Sequence, residues 1–513
     1  MISQEELKTK LSELLCFAKE NLSLRDEDYF FAQNALLDLF KLDTPAKEKA
    51  TSYPENFQEE VMDKIIEYAL ENKLIEENEK IRFETRVFGL VSLTPSQTID
   101  KFDLIASDKG IEAATTWFFN TCKASNYIRV PDISKNIKWE YTGKIGDIGI
   151  TINLSKPEKD PKQIALEKSK PKTGYPACML CLENIGFAGS VSWPARQTLR
   201  TIPIQLNNEN WSMQYSPYQY FSEHLIALCN EHRPMNVTKD TFKRLLDFVD
   251  LFPHYFLGSN ASLPIVGGSI LTHDHYQGGA KVLPLFKAGH RARYEHTDFR
   301  DVQIYIQDWY NSVVHIESKN KENVLKVTEI VLNKWQNYSD ESVDIICKTT
   351  ELHNAITPIA RLEQGVYMLD LILRNNRTDE KYPDGIFHAH PEHHNIKKEG
   401  IGLIEAMGLF ILPGRLKNEF EQIKDYLIGK TPLDLEKLAD PTNPLSKHLG
   451  MISQLVNDNG TEITKSKADI VVRNFVNKTC EEILNDTAVF KNTPKGQKAF
   501  NTFMEEGLGL SKF

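Results

Sequence analysis

The chain has 513 residues, of which 41% are hydrophobic and 26% charged, with a formal net charge of −10. That length exceeds what one core usually fills and calls for two or three domains, while the acidic balance excludes a basic nucleic-acid-binding face and requires any polyphosphate ligand to be gripped locally. Seven cysteines, only two of them close in sequence, argue against a disulfide framework, and with an acidic N-terminus and no apolar run of membrane-spanning length the chain reads as cytoplasmic.

From Glu5 to about Ala124 apolar residues recur at helical spacing, as in Leu7, Leu11, Leu14 and Leu15, so residues 1–125 are expected to be an all-helical N-terminal region. Thr44-Pro45-Ala46 and Thr94-Pro95-Ser96 have the form of helix starts, with proline at the first helical position. Trp117, Phe118 and Phe119 read as core anchors, and no functional motif is legible in this region.

After Ile133 the period changes. Asp147 to Leu154 alternates in steps of two and predicts a strand that opens an α/β or α+β region. The Lys-rich segment Lys168 to Lys172 reads as a solvated loop whose lysines could also serve an anionic ligand. Cys178-Met179-Leu180-Cys181 then lets two thiolates turn onto one metal ion. Zinc needs four ligands and no second CxxC exists, so the missing ones would have to be histidines; incidental thiols in a turn and a redox pair stay open.

Arg196 and Arg200 are candidate phosphate contacts, because the guanidinium fork matches phosphate oxygens. Thr201 to Leu206 alternates like a strand, and Tyr220 to Cys229 reads as a core strand that runs out to His232. Val237-Thr238-Lys239-Asp240 starts a helix with Phe242, Leu245, Leu246, Phe248 and Val249 on its buried stripe.

The most informative stretch follows: Thr272-His273-Asp274-His275-Tyr276-Gln277-Gly278-Gly279. In an extended backbone His273, His275 and Gln277 share one face, and such a row can hold a phosphate; a turn with solvated histidines is the competing reading. Gly267 and Gly268 remove side chains where backbone amides could approach a phosphate, and Asn260 and Ser269 add short polar donors. Farther on, Tyr367 to Arg374 predicts a strand, and His388-Ala389-His390-Pro391-Glu392-His393-His394 supplies a second HxH, a candidate for a ligand or metal role whose function the sequence leaves open. The last hundred residues read as helical, for example Leu416 to Ile428 and Ile470 to Leu484.

Taken as an ordered set, ITINLSKPEKDPK from Ile150, YPACMLCLEN from Tyr175, QYSPYQYFSEH from Gln214, FPHYFLGSNASLPIVGGSILTHDHYQGG from Phe252 and FHAHPEHHN from Phe387 resemble the galactose-1-phosphate uridylyltransferases of the second, Firmicute-type class. The resemblance spans essentially the whole chain. It implies an α+β fold: a histidine-triad-like mixed or antiparallel sheet core in two halves, a catalytic half at 126–300 and a second half at 301–513 with C-terminal helices, added to the helical N-terminal region. It also implies a ping-pong transfer of a uridylyl group from UDP-glucose to galactose 1-phosphate through a covalent histidine.

The first class of these enzymes carries His-Pro-His-x-Gln. On matching positions His275 becomes the nucleophile, Gln277 the amide beside the phosphate, and His273 an organising residue. Asp274 stands where that class has proline, and its carboxylate beside a phosphate has no account in the sequence. The same likeness implies zinc on Cys178, Cys181, His232 and His273 and a homodimer by analogy; substrate contacts are expected, from the residues themselves, at Arg196, Arg200, Asn260, Gly267, Gly268, Ser269, His388 and His390. A histidine-triad nucleotide hydrolase or a nucleotidyltransferase on another sugar phosphate is the nearest alternative; against the hydrolase, a glutamine amide cannot donate a proton to a leaving group as a third histidine could. A zinc-stabilised binding protein without catalysis is the alternative from another class.

Overall fold

The computed structural model describes residues 2–155, 174–190, 192–268 and 270–513. The expected lysine loop Lys168 to Lys172 and the candidate Ser269 lie outside the described residues.

The N-terminal region is helical as expected, with helices Gln4–Asn21, Tyr29–Phe40, Asp63–Glu71, Lys80–Val91, Pro95–Lys109 and Ile111–Ala124. Thr94 caps the fifth of these with a reciprocal bond to Gln97, the pattern its sequence announced. Thr44-Pro45-Ala46 starts no helix. The segment instead crosses the first helix, where the Ala50 amide donates to Ser12 Oγ, so tertiary hydrogen bonding replaces the helical ladder. The first four helices enclose their own apolar core, from Leu7 to Val91. The last two pack Phe102, Phe118 and Phe119 into the core of the sheet domain.

The strands in chain order are β1 (Ile137–Thr142), β2 (Asp147–Asn153), β3 (Ile202–Leu206), β4 (Glu209–Tyr215), β5 (Leu225–Cys229), β6 (Tyr255–Gly258), β7 (His275–Ala280), β8 (His290–Glu295), β9 (Gln303–Gln307), β10 (Val313–Ser318), β11 (Asn354–Glu363), β12 (Val366–Asn375), β13 (Leu409–Pro413) and β14 (Ser511–Lys512). Among the described residues eleven of them form one sheet, ordered β14-β8-β9-β10-β12-β11-β6-β7-β5-β4-β3, with antiparallel neighbours throughout. A smaller sheet, β1-β2-β13, is mixed, because β13 runs parallel to β2.

The large sheet repeats one pattern twice. A three-strand meander is followed by a helix and a hairpin whose second strand inserts next to the meander: β3-β4-β5-β7-β6 and β8-β9-β10-β12-β11. The two halves join edge to edge through β6 and β11, where Gly258, Leu257 and Phe256 face Ile359, Ala360 and Arg361. Each half thereby covers the other's open edge. β8, placed by sequence in the catalytic half that ends at 300, pairs with β9 in the second half-sheet.

Helices Lys239–Leu251 and Lys321–Gln336 cover one face of the sheet, burying Phe242, Leu245, Val324 and Trp335. Thr238 caps the first of them, as its sequence announced. The other face is covered by the small sheet and by the C-terminal helices Leu416–Leu427 and Lys465–Thr487. The expected strand from Tyr220 is shorter than anticipated, because Glu223 adopts φ 55° and holds residues 220–224 in a turn ahead of β5. Among the described residues no helix is long and apolar enough to cross a membrane.

Candidate active site

On the face opposite the two covering helices, β5 and β7 border a cleft of about 880 Å³, closed on its far side by the 397–405 segment and by the ends of β2 and β13. A space of this size suits a substrate as large as a nucleotide sugar. His275 and Gln277, alternate residues of β7, both line it.

His275 is buried and its Nδ1 lies 2.8 Å from the backbone carbonyl of His273. A carbonyl only accepts, so Nδ1 carries the proton and Nε2 keeps its lone pair for the cleft. Burial lowers the ring's pKa to about 4, which holds it neutral at neutral pH. A neutral, oriented imidazole is the form able to attack phosphorus.

His273 does not share that face. It precedes the strand, its Nε2 donates to the Cys229 carbonyl at 2.8 Å, and its Nδ1 turns toward the CxxC loop. There Cys178 Sγ lies 3.1 Å from His273 Nδ1 and Cys181 Sγ 3.1 Å from His232 Nδ1, with 3.5 Å between the sulfurs. All four ligand atoms fall within 4.8 Å of one another. In a tetrahedral Cys₂His₂ zinc site adjacent ligand atoms are about 3.4–3.8 Å apart, so this group fits a metal ion with little adjustment. It joins the CxxC loop, the exit of β5 and the lead-in to β7. The two histidines of the motif thus take opposite tautomers, one facing the Cys/His cluster and the other the cleft.

Asp274 points to the opposite face of the sheet. Its carboxylate is 3.4 Å from Arg233 Nε and 4.0 Å from Arg244 Nη1, and Glu209 bridges the same two arginines. Burial pushes Asp274 up to about 6 against the pull of Arg244 and Arg233. Tyr276 also leaves the cleft, stacking on Trp211 with 4.8 Å between ring centroids. The carboxylate that seemed misplaced beside a phosphate is therefore separated from the cleft by the sheet.

Asn260, Gly267 and Gly268 line the cleft. Asn260 Oδ1 accepts from the Leu403 amide at 2.8 Å, tying two walls together, and a Cβ at Gly268 would stand 2.6 Å from Asn260 Nδ2. Gly268 is thus glycine so that the Asn260 amide can pack against the backbone. Ile265 in the same wall holds φ 73°, a costly conformation for a β-branched residue.

Several expected contacts lie elsewhere. Arg200 is buried and donates to the carbonyls of Leu93, Gln197 and Leu199, which leaves it holding the helical region to the sheet domain. Arg196 packs over the Tyr127 ring at 5.8 Å and does not line the cleft. His388 sits behind the cleft wall, its Nε2 accepting from the Ile401 amide at 3.1 Å. His390 stacks on Tyr382 and pairs with Asp486 at 3.3 Å, so the second HxH anchors its loop to helix Lys465–Thr487. Each of these groups is engaged in packing or hydrogen bonding with another element, which neither guanidinium chemistry nor the crowding of histidines reveals.

Two residues were missed. Lys397 lines the cleft and pairs with Glu405 at 2.9 Å. His224 also lines it, with Nε2 3.1 Å from Gln277 Oε1. His224 closes the QYSPYQYFSEH stretch, but no spacing rule links it to a glutamine 53 residues away.

Residues 25–234 match the family described as galactose-1-phosphate uridyl transferase, N-terminal domain, and residues 248–438 match its C-terminal domain. Galactose-1-phosphate uridylyltransferases of Caldanaerobacter subterraneus subsp. tengcongensis, Fusobacterium nucleatum and Bacillus subtilis are 45%, 43% and 40% identical, each over 97–98% of both chains. Among solved structures, a yeast Ap4A phosphorylase overlays 63% of this chain and 89% of its own, with a TM-score of 0.31 and 11% identity.

Proposed function

The chain belongs to the galactose-1-phosphate uridyl transferase family, and on that premise we propose that its uridylyl transfer runs by ping-pong through a covalent intermediate on His275. The enzyme exchanges the uridylyl group between UDP-glucose and galactose 1-phosphate, giving UDP-galactose and glucose 1-phosphate. The observation that carries the covalent reading is the Nδ1 bond of His275 to the His273 carbonyl, which leaves Nε2 as the only free lone pair on a buried neutral ring facing the cleft.

In the first half-reaction Nε2 attacks the α-phosphorus of UDP-glucose, the N–P bond forms, and the bond to the β-phosphate oxygen breaks to release glucose 1-phosphate. The Nδ1 proton stays on the ring, held by the His273 carbonyl. The uridylylated imidazole therefore carries positive charge and is a good leaving group. In the second half-reaction a phosphate oxygen of galactose 1-phosphate attacks the same phosphorus and His275 leaves neutral. Neither step needs a proton donor, which agrees with glutamine rather than a third histidine at 277. The Gln277 amide and the backbone around Gly267 and Gly268 are the donors for the non-bridging oxygens.

Cys178, Cys181, His232 and His273 are the residues that would hold zinc, and thiolate with imidazole is the donor set that zinc prefers. Bound there, it would fix the His273 carbonyl that orients His275, a structural contribution. The repeated strand order of the two half-sheets supports a histidine-triad-like fold in two halves. The decisive experiment is incubation with α-labelled UDP-glucose and no acceptor. Acid-labile, base-stable label on His275 is expected; steady release of UMP would replace the transferase mechanism with hydrolysis.

A further inference from the structure

His224 lies just ahead of β5 and is 2% exposed. Its ring is held between Tyr220, 5.4 Å away, and Phe221, 4.6 Å away, and its backbone is pinned by bonds to Ser216 and Phe221. Nε2 meets Gln277 Oε1 at 3.1 Å. Nδ1 is buried and has no hydrogen-bond partner among the described residues. A buried polar atom left unpaired is costly and calls for a missing partner, and this one belongs to a residue that borders the cleft.

We propose that His224 is both a positioning residue and a substrate contact: Nε2–H sets the orientation of the Gln277 amide, and Nδ1 accepts a hydrogen bond from a sugar hydroxyl of the bound substrate. The inference deepens the proposed uridylyl transfer and rests on the role given there to Gln277. Phosphate oxygens are acceptors, so the Gln277 amide must turn its NH₂ to the substrate and its oxygen to His224. That oxygen needs a donor, which places the single proton of neutral His224 on Nε2. Burial lowers this ring to about 4 and removes the doubly protonated alternative. Nδ1 is then a lone pair with nothing to accept. It cannot serve a phosphate, and it complements an O–H. Since Gln277 adjoins the reacting phosphate, the hydroxyls within reach belong to the ribose or the hexose on either side of it.

The test crosses enzyme variants with substrate deletions. Wild type and His224→Gln, which keeps an N–H donor in place of Nε2 but lacks the Nδ1 acceptor, are assayed with UDP-glucose, with its 2′- and 3′-deoxyribose analogues, and with analogues deoxygenated at each hexose position. One analogue is expected to cost wild type about 10- to 100-fold in kcat/KM and the variant no more than about twofold. The arm in which it appears identifies ribose or hexose. Equal costs in both enzymes for every analogue would overturn the contact.

The positioning role is read separately, as the single-turnover rate of enzyme labelling. His224→Gln is expected to stay within about tenfold of wild type and His224→Phe to fall about 100-fold or more; equal rates for the two variants would overturn it. Should His224→Phe not fold, ¹⁵N NMR of histidine-labelled wild type, assigned by difference with His224→Gln, decides the point. The Nε2–H tautomer is expected, and an Nδ1–H ring would overturn the proposal. Failure of wild type to label at all would remove the covalent reading while leaving the His224 contact measurable as coupling in the Kd of UDP-glucose and its deoxy analogues.

Discussion

The carbonyl of His273 accepts the Nδ1 proton of His275 at 2.8 Å, while the ring of His273 turns away to Cys178 at 3.1 Å. One residue therefore supplies both an imidazole nitrogen to the Cys/His cluster and the hydrogen bond that sets the tautomer of His275. Because backbone and side chain of the same residue are involved, order in the cluster is transmitted to His275 without any intervening contact.

Replacing His275 by glutamine keeps polarity and approximate volume but removes the proposed nucleophile. Activity is expected to fall about 10⁴-fold or more, with no transferable label on the protein and a thermal transition close to wild type. Mass spectrometry of the intact variant after exposure to UDP-glucose checks it. A uridylyl adduct on the variant would place the nucleophile elsewhere.

The cluster of Cys178, Cys181, His232 and His273 is expected to hold about one zinc ion per chain. Chelation, or the pair Cys178→Ser with Cys181→Ser, should remove the metal and lower Tm by more than about 5 °C, since an ion held there would join three segments in the folded state only. Elemental analysis beside calorimetry measures both. Stoichiometric zinc retained in the double variant would dismiss the two cysteines as essential ligands.

The sequence disclosed the helix–sheet alternation and the central motif because those rest on local signals: period, caps at Thr94 and Thr238, and the crowding of His, Gln and Gly between 273 and 279. It could not disclose which face each motif residue takes, since that depends on where the strand begins. β7 starts at His275, so His273 sits outside the alternation and Asp274 reaches Arg233 across the sheet. Nor could it join His224 to Gln277, or exclude Arg200 and His390 from the cleft, because those partnerships are fixed by packing between distant segments. The edge-to-edge union of the half-sheets through β6 and β11 is likewise invisible to any local pattern.

Arg200 tests that distinction directly. Its guanidinium donates to the carbonyls of Leu93, Gln197 and Leu199 at 2.7–2.9 Å, so Arg200→Ala leaves buried acceptors unpaired between the helical region and the sheet domain. Stability is expected to drop by about 2–4 kcal/mol, while KM for UDP-glucose in the folded variant stays within about twofold. Denaturant unfolding and steady-state kinetics on the same preparation decide it. A large rise in KM with unchanged stability would return Arg200 to the substrate.

Glu419 makes an acid-side pH dependence of stability testable. Its side chain is largely buried and meets His448 at 2.9 Å, Lys447 at 2.6 Å and Arg415 at 2.6 Å. Burial alone would raise its pKa, but these partners override that and hold it at about 2, against an ordinary value of 4.5. A carboxylate whose folded pKa is depressed stabilises the fold at pH values above its unfolded pKa, and that contribution drains away as pH falls toward the folded value. The stability difference between wild type and Glu419→Gln should therefore shrink as pH falls between about pH 4.5 and 2, and approach zero below that window. Urea unfolding of both proteins across this range measures it; a difference that persists unchanged at the acid end would show that Glu419 contributes through packing and not through its charge.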